Sequence, residues 1–157
     1  MKRIFLFSLG ILFFLPGQTA FPQMAGYYPK GGADDGVEDV SLIQLIANPQ
    51  TYDQKRVRVI GYIRLEFEGN AIYFHREDFE IGMANNAIWI DLPKDMTPKQ
   101  IKIVNNQYVI CTARFIAGRH GHMGLFSGEF DEVTRLEVWP IPRSDSSRGT
   151  PTQPAHR

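Results

Sequence analysis

The stretch KRVRVIGYIRLEF, residues 55–67, is the segment from which the architecture of this chain can be built. Val57, Val59, Ile63, Leu65 and Phe67 fall on alternate positions, Gly61 keeps the step, and Arg58, Arg64 and Glu66 lie between them. That period of two marks a strand with one face in a core and the other toward water. A strand of about eleven residues is roughly twice the usual length, and strands that long bend. Gly61 removes a side chain near the middle, where a coiled strand can turn from one side of a barrel to the other.

Upstream, Ser41 and Gln44 make a capping-box pair, and Val40 with Leu45 stands at the two positions of a hydrophobic staple. Leu42, Ile43, Leu45 and Ile46 then give a short apolar helix that stops at Asn48, before Pro49. So small a helix cannot stand alone in water, and it is expected to seal one end or face of the sheet. Residues 51–54 turn the chain into the long strand.

Downstream, residues 68–70 (EGN) are a turn and 71–74 (AIYF) the returning strand. Residues 75–86 form a polar insertion carrying Phe79, Ile81 and Met83, with room for one helical turn, and 87–92 (AIWIDL) are a third strand. A second start signal follows: Thr97 as cap, Pro98 at the first helical position, Gln100 completing the box and Met96 facing Ile101. Residues 108–116 are a fourth strand with Val109, Cys111, Ala113 and Phe115 on one face, 118–128 a glycine-rich loop, and 130–139 a fifth strand with a bulge near Val133. The fold expected is mainly β: a five-stranded OB-fold-like Greek-key barrel with a short N-terminal helix and a short helix between strands 3 and 4.

In LIANPQTYDQKRVRVIGYI, residues 45–63 and their flanks, the chain resembles the helix-turn-strand opening of OB-fold-like, tRNA-anticodon-binding-like domains found in exported bacterial proteins of unassigned function. The resemblance covers roughly residues 40–140. It implies a binding module, by analogy of fold.

The outer segments bound the cell biology. Lys2 and Arg3 precede a twelve-residue apolar run, 4–15, which Pro16 and Gly17 break before the small-residue exit at 18–20. Twelve helical residues rise about 18 Å, short of the roughly 30 Å hydrocarbon core. Residues 1–20 therefore read as a signal peptide, leaving no membrane span after its removal. No cysteine follows the apolar run, so the product is expected in the periplasm or secreted, without a lipid anchor. Residues 21–38 read as a flexible leader, 39–142 as the barrel domain and 143–157 as a disordered tail. Cys111, the one cysteine, cannot form an intramolecular disulfide and reads as a small buried hydrophobe. Lysine plus arginine and aspartate plus glutamate each number 17, and without Lys2 and Arg3 the balance is 15 basic to 17 acidic. That balance argues against a nucleic-acid partner.

An OB-fold usually places ligands across strands 2 and 3, between the loops that are residues 68–70 and 118–128 here. Strand parity puts Arg58, Tyr62, Arg64, Tyr73 and Trp89 on the outer surface, as an aromatic strip flanked by cations, with Arg119 in the neighbouring loop. Two readings stand. The strip stacks a ligand, or the N-terminal helix or the insertion with Phe79 and Met83 covers it, since two apolar segments need a surface to bury.

A second constellation, Arg119-His120-Gly121-His122-Met123, puts two imidazoles on one side if extended, with a soft sulfur donor beside them and His75 as a third nitrogen ligand. Copper or zinc would suit it; otherwise no cofactor is expected. Glu129 and Asp131 share a face and could serve a hydrolase, yet no P-loop, dinucleotide fingerprint, zinc-protease helix or nucleophile elbow is present. The expectation is a non-enzymatic module with no catalytic residues, engaging an envelope protein, peptide or glycan.

Overall fold

The computed structural model describes residues 26–27 and 36–140. The signal-peptide reading at 1–20, most of the leader and the tail at 143–157 lie outside the described residues. In chain order the elements are β1 Gly26–Tyr27, β2 Glu38–Asp39, α1 Leu42–Ala47, α2 Pro49–Tyr52, β3 Arg56–Arg64, β4 Ala71–Tyr73, α3 Arg76–Glu80, β5 Ala87–Ile90, α4 Pro98–Val104, β6 Gln107–Ile116 and β7 Glu129–Val138.

Strands β3 to β7 close on themselves. β3 pairs β4, β4 pairs β5, β5 pairs β7 in parallel, β7 pairs β6, and β6 returns to β3 over eight residues. This is the order of the five-stranded OB-fold-like Greek-key barrel. Its interior is filled from alternate positions: Val57, Val59 and Ile63 from β3, Ile72 from β4, Ile88 and Ile90 from β5, Phe115 from β6 and Phe130 from β7. The rings of Phe115 and Phe130 meet edge to face at 5.9 Å, a preferred aromatic geometry.

Gly61 marks the point at which β3 changes neighbours. Before it the strand's free edge pairs β2, as far as Arg58; after it the same edge pairs β4 from Tyr62. A Cβ at Gly61 would stand 2.6 Å from an Ile72 methyl and 2.7 Å from a Leu42 methyl. The missing side chain is therefore the seat of α1, whose Leu42 and Leu45 are wholly buried. Each such side chain contributes about 1.5–3 kcal/mol on burial. Both capping boxes form: the Gln44 N–H donates to Ser41 Oγ at 3.2 Å and the Gln100 N–H to Thr97 Oγ1 at 3.3 Å. The chain re-enters a helix at once after Asn48, because Pro49 is tolerated at a first helical position.

Three expectations need correction. The long strand ends at Arg64, since the Asn105 side chain takes over the pairing by bonding both the N–H and the carbonyl of Leu65. Phe67 then sits in a turn at 91% exposure rather than on the core face. The leader is also not wholly free. Gly26–Tyr27 pairs antiparallel with β7, and Tyr27 is buried with its hydroxyl donating to Asp95 at 2.8 Å. An aromatic ring that finds an apolar slot outweighs the local glycine and proline signal. Glu38–Asp39 adds a second short strand beside β3. The bulge in β7 is present: the two-residue step from Thr112 to Arg114 faces the four-residue step from Arg135 to Asp131, which turns Val133 into the core. Among the described residues, no helix is long and apolar enough to cross a membrane.

Candidate functional site

The barrel exposes two outer faces that carry aromatic residues, and the chain treats them differently. On the first, Tyr62 and Tyr73 are a cross-strand pair and Trp89 stands opposite Ala71 on the next strand. Strand parity brings these three together as expected. Phe79 of α3 then lies over them, with ring centroids 6.4 Å from Tyr62 and 5.5 Å from Tyr73, and Phe126 packs on Trp89 at 5.4 Å. Tyr62 and Tyr73 keep 6% and 7% of their surface.

The loop completes the cover. Gly121 has φ +59, and a Cβ there would lie 2.6 Å from three atoms of Trp89, so only glycine lets the loop backbone rest on the indole. Arg64 belongs to the same layer: its guanidinium sits 4.9 Å over the Phe79 ring, bonds Glu66 at 2.9 Å and bonds Asn106 at 2.6 Å. Burial pushes the Tyr73 hydroxyl above the usual phenol range; the nearby Glu66 charge adds to this and Arg64 partly offsets it.

Arg58 and Arg119 stand apart from the strip. Arg58 reaches Asp39 at 3.4 Å. Arg119 joins a charged cluster on β7, contacting Glu129 at 3.1 Å and Asp131 at 3.3 Å. Glu129 and Asp131 do share a face, but Arg114 also holds Asp131 through two bonds of 2.9 and 3.0 Å and Glu132 at 2.9 Å. These three carboxylates and two guanidiniums form one charge-assisted network along β7 and its neighbour β6. Cys111 lies in the barrel interior, where burial pushes its thiol up to about 12. A thiol in that state is not a nucleophile at neutral pH.

The histidines are dispersed in their contacts. His120 Nδ1 is 2.8 Å from the Phe126 carbonyl, His122 Nε2 is 3.5 Å from Glu68, and the His75 ring lies against Phe74 at 4.0 Å. Met123 is 79% exposed on a left-handed residue of φ 55. Among the described residues, no group of three or more histidine, cysteine, aspartate or glutamate side chains is placed to hold a metal ion.

The second outer face runs over β3, β6 and β7. Register sets Arg58, Thr112 and Arg135 in one row, and Ile60, Ile110 and Glu137 in the next. Tyr62 and Tyr108 follow, with the Trp139 N–H donating to the Tyr108 carbonyl at 2.7 Å. Two grooves meet at Trp139. One, of about 530 Å³, is lined by Val40, Arg58, Ile60, Ile110 and Trp139 among others. The other, of about 360 Å³, is lined by Tyr62, Arg76, Asn106, Gln107, Tyr108 and Trp139 among others. Both volumes fall in the range, roughly 300–1,000 Å³, of small-molecule sites. Strand parity assigned Arg58 and Tyr62 to the surface but missed this face. The signal was present: Ile60 and Ile110 are apolar residues at the outward positions of their strands, out of phase with the barrel interior.

No protein-family model matches the chain, and no curated protein matches it either.

Proposed function

We propose that the chain is an exported, non-enzymatic binding module that engages a protein, peptide or glycan of the cell envelope through the face of β3, β6 and β7. One observation carries the reading. Ile60, at 42% exposure on an outward position of β3 where an alternating strand would otherwise carry a polar group, and Trp139, at 37% just past the end of β7, border the same open groove. Exposed apolar side chains gathered in a concavity are the usual mark of a ligand surface.

Two further features support it. The apolar run at 4–15 behind Lys2 and Arg3 has the form of an export signal. The helix-turn-strand opening that resembles OB-like domains of exported proteins is built here as α1, α2 and β3. The carboxylates that could have served hydrolysis are matched with Arg114 and Arg119, which favours a binding role over catalysis.

The test is an amide NMR titration of the purified protein with a peptidoglycan fragment, a mixed peptide pool and an envelope extract. Expected are shifts gathered on Ile60, Ile110 and the Trp139 indole, lost in Trp139→Ala. Shifts confined to residues 66–70 and 118–128 would move the site to the loops and defeat the assignment.

A further inference from the structure

We propose that the turns at residues 66–69 and 121–124 together seat their apices in the surface of a phospholipid bilayer, a contact separate from the grooves at Trp139. The backbone sets each apex. The Gly69 N–H donates to the Glu66 carbonyl at 3.2 Å and the Gly124 N–H to the Gly121 carbonyl at 3.3 Å, which closes two tight turns. The outermost positions of such a turn are its central pair: Phe67 and Glu68 in one, His122 and Met123 in the other. Glu68 and Met123 stand at φ 58 and 55, the left-handed region where glycine or asparagine is the common residue.

The two apices meet. His122 Nε2 lies 3.5 Å from a Glu68 carboxylate oxygen, and Phe67 and Met123 are the chain neighbours of that pair. They are also the two most exposed large apolar side chains among the described residues, at 91% and 79%, with Leu125 close behind in the chain at 53%. Neither the insertion ring Phe79 nor Phe126, which cover the tyrosines and Trp89, reaches over them at those exposures.

Area and shape choose the partner. At the 150–250 Å² that a large side chain offers, the three present about 400 Å² of apolar surface, half of the roughly 800 Å² that each side of a specific protein interface buries. Gly69, Gly121 and Gly124 around them add no side chain to enlarge it. The three stand on turn apices rather than in a recess and carry no hydrogen-bonding group, so a folded partner would need a separate pocket for each. A bilayer needs no matching shape. Its interfacial layer takes protruding apolar side chains to a depth of about 5–10 Å, while the turn backbone, which cannot enter hydrocarbon with its polar groups unpaired, stays among the headgroups. Charge adds no preference for anionic lipid: residues 64–70 and 117–127 hold two arginines, two glutamates and no lysine. Apolar insertion therefore carries the contact, and zwitterionic lipid suffices.

The experiment is sedimentation of the protein as the cell exports it with phosphatidylcholine vesicles, at low and high salt. Binding is expected, and it should change less than about twofold between the two salts. The triple variant Phe67→Ser, Met123→Asn, Leu125→Ser should partition about a hundredfold more weakly or less. Its unfolding midpoint should be unchanged, since all three positions are exposed and asparagine tolerates the left-handed backbone. Phe67→Trp, which keeps a large ring at the apex, should gain a blue-shifted emission that brominated phosphatidylcholine quenches. No binding by the unaltered protein, full binding by the triple variant, or no quenching in Phe67→Trp would each overturn the proposal. Binding only to vesicles rich in phosphatidylglycerol and abolished by salt would overturn it in favour of a charged surface. Self-association without lipid that the triple variant abolishes would assign the apices to a second copy of the chain instead.

Discussion

The face over β4 and β5 and the face over β6 and β7 start from similar material and end differently. Both carry aromatic side chains at outward strand positions. On the first, Tyr73 keeps 7% of its surface under Phe79; on the second, Trp139 keeps 37% and borders two grooves. The difference lies in what the chain supplies next. The insertion between β4 and β5 returns Phe79 across the tyrosines, and the loop between β6 and β7 returns Phe126 across Trp89. Among the described residues, an outward aromatic side chain therefore stays exposed only where no other segment packs over it.

The largest expected effect follows directly. Tyr73→Ala should cost about 3 kcal/mol of stability, as truncations of buried aromatics do, whereas Trp139→Ala should cost under about 1 kcal/mol, the usual limit for surface positions. Urea unfolding of the two variants checks this. Equal losses would mean that the two faces are not distinct in burial, and the contrast would break.

An intermediate effect sharpens the same contrast from the cover's side. Phe79→Ala removes a ring that touches both tyrosines and lies beneath the Arg64 guanidinium, at an expected cost of about 1–2 kcal/mol. It should also raise hydrogen exchange across α3 and increase binding of an apolar dye, because Tyr62 and Tyr73 would then meet water. A variant with unchanged exchange and dye binding would show that α3 is held by something other than this ring.

The fold was legible because its signals are local and mutually consistent: alternation in residues 56–64, two capping boxes, and a glycine where Leu42 of α1 comes close to β3. The exposed apolar face around Trp139 was not, for a physical reason. Strand parity says which side chains leave the barrel, but whether they stay exposed depends on contacts between residues distant in sequence, such as Tyr62 with Phe79. Tyr27 shows the same limit, since its partner Asp95 is 68 residues away and nothing near Tyr27 announces it. Ile60 was the overlooked clue: an apolar residue out of phase in a strand otherwise well patterned.

The smallest effect tests whether the cover is seated in solution. In an unfolded chain a tyrosine hydroxyl ionises near pH 10. In the fold, burial raises the Tyr73 value, with Glu66 adding and Arg64 subtracting. A raised folded value means that the protonated phenol is favoured in the native state, so this contribution is fully present below about pH 10 and is lost as pH climbs from there through the folded value. Other groups move in the same direction, notably the Cys111 thiol, raised from 9.0 to about 12 by burial. The informative quantity is thus the difference between the wild type and Tyr73→Phe, which keeps the ring and removes the ionisation. Their stabilities should run parallel below pH 9, and above pH 10 the wild type should fall more steeply. Identical slopes would mean that water reaches the Tyr73 hydroxyl as freely in the folded chain as in the unfolded one, and the closed face would then be as open as the face around Trp139.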